Sequence, residues 1–221
     1  LDEVLHSEIS TNLEIKSKLL LSSIKDVWQI NEIPENLNEA EKPVIAEFYF
    51  KYALNFDQKG DIESAVKYYK KCVETSQNRE INSYLSSALT NLASIYDEYG
   101  KTDKAIKYLQ ESLRLDELSK NYNGIYVSSM KLAEINAVRA PEKSLEYLKK
   151  SRACAVELND NFYIASSNLA LGDFYNKHKD YKKALEYFEA AHKLAVNNFT
   201  KENIAKIETR INDIKKVYNE E

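Results

Sequence analysis

The chain has 221 residues, with Lys+Arg 31 against Asp+Glu 35 and only four Gly and three Pro. So few turn residues exclude an all-β fold of this length. A net charge of −4, without a basic stripe carrying interleaved aromatics, argues against a dedicated nucleic-acid binder. The abundance of Lys, Glu, Leu, Ala and Ile favours helix, and the sixteen Tyr fit half-buried packing positions between helices. The apolar runs Leu19–Leu21 and Ala153–Val156 are too short to span a bilayer. No signal-peptide pattern is visible, and a chain opening on Leu1 is expected to begin inside a longer protein or after processing.

In chain order, residues 1–30 read as an N-terminal helical segment whose apolar residues include Leu13, Leu19, Ile24, Val27 and Trp28. The mostly polar stretch 31–42, broken by Pro34, reads as a linker. From residue 43 to 199 the chain repeats itself. Gly60 opens GDIESA, Gly100 opens GKTDKA, Pro141 lies in the shorter APEKS, and Lys179 opens KDYKKA. The residues closing these turns are Ala65, Ala105, Ser144 and Ala184, at intervals of 40, 39 and 40. A fixed period of this size means stacked supersecondary units. Each unit reads as two amphipathic helices, A and B. In the second, Leu89, Leu92, Ala93 and Tyr96 recur at helical spacing, and Gly100 supplies the left-handed residue that ends a helix. Ala53 and Ala65, Ala93 and Ala105, and Gly172 and Ala184 are the small residues needed where two helix backbones approach. Four units are expected, at about 44–80, 83–120, 123–157 and 162–198.

Residues 200–221 read as a capping helix. Thr200 is its N-cap, and Ile204, Ile207, Ile211, Ile214 and Tyr218 form one stripe. A coiled coil would need at least three heptads, and this stripe has two; it nonetheless offers a surface for a homo-oligomer. Cys72 and Cys154 read as small core residues. His6, His178 and His192 share no frame, and no metalloprotease, phosphate-loop or nucleophile-elbow motif is present. The expectation is therefore no enzyme, no cofactor and no metal site.

These units resemble the tetratricopeptide repeat. The residues that carry the likeness are Tyr49, Tyr52-Ala53, Phe56, Gly60, Ala65, Tyr69 and Cys72, and then Leu89, Leu92-Ala93, Tyr96, Gly100, Ala105, Leu109 and Ser112. The last copy is Leu171-Gly172, Tyr175, Lys179, Ala184, Phe188 and Ala191. The third is degenerate, with Asn136 in the aromatic place. The usual period is 34. The longer form is similar to the repeats of kinesin light chains, of spindle-orientation adaptors and of bacterial Rap-type receptors for signalling peptides, and residues 41–56 look Rap-like.

The resemblance implies an all-α, right-handed superhelix of helix pairs that binds a protein or peptide with the inward positions of each helix A. Carried over, these are Glu47, Phe50, Lys51, Leu54 and Asp57, then Ser87, Thr90, Asn91, Ser94 and Asp97. The third unit gives Val127, Met130, Lys131, Glu134 and Ala137, and the fourth Ser166, Leu169, Ala170, Asp173 and Asn176. Asn91 carries both a donor and an acceptor, so it can hold the backbone of an extended partner whatever its sequence. Five acids against two bases in this set favour a partner with basic residues. Only Asn91 and Lys131 match the five places of a chaperone-type carboxylate clamp, which argues against one. The implied function is a cytoplasmic scaffold or adaptor with no nucleic-acid or membrane partner in this segment. The alternatives are a Rap-like regulatory peptide receptor and the sensor region of a larger signalling protein such as a histidine kinase.

Overall fold

The structure, a computed structural model, describes residues 42–76, 83–196 and 199–218. Of the N-terminal segment and linker expected at 1–42, only Lys42 lies within the described residues. These residues form nine α-helices and no strand: α1 (Lys42–Gln58), α2 (Ile62–Ser76), α3 (Ser83–Glu98), α4 (Thr102–Ser119), α5 (Tyr122–Arg139), α6 (Pro141–Glu157), α7 (Asn161–Lys177), α8 (Tyr181–Ala195) and α9 (Lys201–Tyr218). They fall into two compact units divided between Tyr108 and Leu109, within α4.

In unit 1, α1 pairs with α2, and α3 packs against both. Unit 2 repeats the arrangement, with α5 on α6, α6 on α7, α7 on α8 and α8 on α9. The small residues mark the close approaches. Ala53, Ala65, Ala93, Ala105 and Ala184 are all fully buried. A Cβ on Gly172 would stand 2.6 Å from Cε1 of Phe188. In the third pair a hydroxyl replaces the methyl, and Ser144 Oγ donates to the Ala133 carbonyl at 2.7 Å.

The tyrosine excess has a specific use, because three helix pairs are joined by a ring stack between residues twelve positions apart. Phe56 stacks on Tyr68 with centroids 5.6 Å apart, Tyr96 on Tyr108 at 5.5 Å, and Tyr175 on Tyr187 at 5.5 Å. Such a pair adds about 0.5–1.5 kcal/mol to plain area burial. Asn136 breaks the series; its Nδ2 turns back to the Leu132 carbonyl at 2.7 Å.

The turns within the pairs follow the same logic. Gly60 and Gly100 take φ of 77° and 69°, the left-handed region where glycine is favoured, and Lys179 takes φ of 61° in the equivalent place. The third turn is shorter, and Pro141 opens α6 directly. Proline fits there because its missing N–H would have no intrahelical partner.

Thr200 Oγ1 accepts from the Asn203 N–H at 3.3 Å and caps α9. Ile207, Ile211 and Ile214 are buried in one cluster with Ala184, Phe188 and Ala195. Two ion pairs fasten the same helix, Arg210 to Asp173 at 3.2 Å and Lys215 to Glu189 at 2.9 Å, with a hydrogen bond between His192 Nε2 and Glu208 at 3.0 Å. The isoleucine stripe is thus consumed within the chain, and a homo-oligomer through it would have to displace α8.

Candidate functional site

In unit 1, several of the expected binding residues meet at one phenol. Tyr69 of α2 is fully buried. Its hydroxyl donates to Asp57 Oδ2 at 3.3 Å and accepts from Asn91 Nδ2 at 2.9 Å. Burial first, and the Asp57 charge second, push the Tyr69 phenol well above its usual range. It stays neutral at physiological pH and works as a fixed relay. Phe50 lies with its ring 5.9 Å from Tyr69 and 5.5 Å from Tyr84. One N–H of the Asn91 amide is therefore spent on a neighbouring helix, and that bond sets which way the amide points.

The other unit 1 candidates differ in accessibility. Lys51 is exposed but salt-bridged to Glu47 at 2.7 Å, on its own helix. Thr90 is buried, and its carbonyl accepts from Ser94 Oγ at 3.1 Å. Asp97 is half-buried, and its carbonyl closes the turn by accepting from the Gly100 N–H at 2.8 Å.

In unit 2, Lys131 is half-buried and Glu134 exposed on α5, and Asp173 and Asn176 are exposed on α7. Asp173 is the candidate whose surroundings depart most from the sequence reading. Crowding raises its carboxyl above the usual value, and Arg210 works against that rise. Leu169, another expected inward residue, packs against the α9 cluster. Counting Arg210 with the carried-over set brings three bases against five acids, so the acidic lean shrinks from three to two.

Asp116 was not among the residues that sequence reasoning singled out. This carboxylate is 2% exposed, and its Oδ1 accepts from Asn121 Nδ2 at 2.8 Å. A Cβ on Gly124 would overlap its Oδ2, so the glycine makes room for the buried acid. The signal was only a Gly near a helix start, which is too common to read. Cys72 is buried, and burial pushes its thiol up to about 12; Cys154 is buried as well. No group of three His, Cys, Asp or Glu among the described residues could hold a metal ion. No helix among them is long and apolar enough to cross a membrane.

Residues 44–117 and 165–197 match family models described as tetratricopeptide repeats. The chain is 24% identical over 173 residues to tetratricopeptide repeat protein 29 of Trypanosoma brucei brucei (strain 927/4 GUTat10.1), covering 77% of this chain and 36% of that protein. It thus spans about a third of the length of that curated relative. Among solved structures, BtubC (BKLC) from P. vanneervenii superposes with a TM-score of 0.70 at 17% identity, over 97% of this chain and 84% of that one. The apo form of RapI gives a TM-score of 0.68 at 18% identity, over 79% of this chain and 64% of that one. At such identities the likeness is one of fold.

Proposed function

We propose that this chain, a tetratricopeptide-repeat protein and so in general terms a protein-interaction scaffold, holds an extended basic segment of another protein along its A helices, with Asn91 as the main contact to that segment's backbone. The observation that supports this most is the 2.9 Å bond from Asn91 Nδ2 to the buried Tyr69 hydroxyl. A free amide must be ordered when a partner binds, and that ordering costs affinity. Here the amide is already anchored, and its remaining N–H and its carbonyl are suited to a peptide group. Asp97, in the same unit as Asn91, supplies negative charge that favours Lys or Arg on the partner. A second reading, a receptor for a signalling peptide, draws support from the fold likeness to RapI.

The test is a peptide array of extended basic, neutral and acidic sequences, followed by titration of the best binder. Asn91→Ala should weaken binding about tenfold or more, since removing one partner of a buried hydrogen bond costs roughly 1–3 kcal/mol. Asp97→Lys should weaken it more at low salt than at high salt, because Asp97 is only half-buried and salt screens its charge in part. If both variants bind that peptide like the parent, the A-helix face is not the site. Asp173 makes a poorer probe, because its reversal also breaks the contact to Arg210.

A further inference from the structure

On another face of unit 1, three ammonium groups gather round one phenol. Tyr96 of α3 is 7% exposed, and its ring stacks on Tyr108. Lys104 Nζ lies 4.2 Å from the Tyr96 ring centroid and Lys101 Nζ 6.0 Å from it. The charges of Lys104 and of Lys70, from α2, both act on the Tyr96 phenol. Among the described residues, none of these three lysines is in an ion pair, whereas Lys51, Lys150, Lys183, Lys206, Lys215 and Lys216 each have a carboxylate within 4.0 Å. Like charges converging on a hydroxyl repel one another, and an anion placed among them removes that repulsion.

We propose that Lys70, Lys104 and the Tyr96 hydroxyl, with Lys101 beside them, form a seat for a phosphoryl group carried on a serine or threonine of a partner protein. The charge count favours phosphate over carboxylate. A phosphorylated side chain brings about −1.5 to −2 of charge and three acceptor oxygens, which matches two or three ammonium groups and a hydroxyl; a carboxylate brings one charge. The rings argue against a nucleic-acid ligand, since binding of single strands relies on aromatic faces open to bases. Tyr96 is already engaged by Tyr108 and Lys104, and Tyr68 of α2 by Phe56, Lys67 and Lys71. Burial alone would raise the Tyr96 phenol; the nearby ammonium groups of Lys104 and Lys70 outweigh it and hold the phenol below its usual value. The seat is distinct from the Asn91 face, because five residues along a helix is a rotation of about 140°.

The probe is a short Gly/Ala peptide bearing one phosphoserine, titrated into the isotope-labelled full chain and followed by NMR at Tyr96. The expected result is a saturable shift of the Tyr96 ring signals and a rise of its phenol pKa toward the ordinary value as the lysine charges are neutralised. Lys70→Ala with Lys104→Ala should weaken binding at least tenfold. Tyr96→Phe, which keeps the ring and its stack, should weaken it a few-fold with an unchanged melting curve. Should the double variant lose its fold, Lys70→Gln alone should still weaken binding several-fold. Asn91→Ala should leave phosphopeptide binding as it was, so this seat and the A-helix site stand or fall separately. The proposal is overturned if Tyr96 does not respond, if the peptide with Ser or Glu in place of phosphoserine binds as tightly, or if a single-stranded oligonucleotide binds more tightly at the same residues.

Discussion

Gly172→Ala should destabilise the protein, although the same exchange inside an ordinary helix stabilises it. Two effects compete. Alanine is the better helix former by about 1 kcal/mol. Against that, the new methyl would sit 2.6 Å from Cε1, 2.7 Å from Cδ1 and 3.0 Å from Cζ of Phe188. Ordinary carbon–carbon contact is about 3.5–4.0 Å, so ring or helix must yield by roughly 1 Å. Phe188 has no exposed surface and is hemmed in by Ala184, Ala195, Ile207, Ile211 and Ile214, so it has nowhere to swing. Overpacking of this kind costs about 1–3 kcal/mol. The net expectation is a loss of about 1 kcal/mol, or a melting temperature lower by roughly 2–4 °C for a chain of this size. Thermal and urea unfolding followed by circular dichroism would measure it. If Gly172→Ala melts higher than the parent, α7 and α8 do not cross this closely and the reasoning about small residues at pair crossings fails.

Lys179→Gly should stabilise. Lys179 holds φ of 61°, where a side chain costs about 1–2 kcal/mol that glycine avoids. The flexibility glycine adds to the unfolded chain takes back about 0.5–1 kcal/mol, so a rise of about 1–3 °C in melting temperature is expected. Ser129→Ala should also stabilise or be neutral, because Ser129 Oγ is buried with no hydrogen-bond partner among the described residues and burying a lone hydroxyl is unfavourable. Ser144→Ala is the contrasting case. Its hydroxyl is bonded to Ala133, so a loss of about 0.5–1.5 kcal/mol is expected in the same unfolding assay.

The repeat was legible because its signals are local and recur. A small residue at each crossing stands in a fixed frame in four copies at intervals near 40, and a left-handed residue follows helix A in three of them, which leaves little room for another fold. Lys179 shows that the frame, rather than the residue type, specifies the turn, since a lysine is held where two other units use glycine. The binding residues were legible only as positions. That Asn91 would be tethered to Tyr69, 22 residues away, or Asp173 to Arg210 of α9, depends on how long side chains lean across neighbouring helices, which periodicity does not encode. The lysines around Tyr96 were missed for the same reason: Lys70 and Lys104 come from helices either side of α3, and the sequence reading found no basic stripe. Asp116 was missed because a buried carboxylate on a polar helix looks like any solvated one.

Stacked helix pairs have a liability that closed folds lack. Each pair presents at its far side a surface made to receive the next, and such a head-to-tail contact has no symmetry to close it. Left bare, it invites another molecule to dock in register, then another, as an open filament grows. The helix α9 takes the place of that incoming neighbour. It spends its isoleucines on α8, secures itself to α7 through Arg210, and turns Lys201, Glu202, Lys206, Thr209 and Asn212 outward. The far side of α8 is therefore covered by a helix with a wetted outer face rather than left bare as a template.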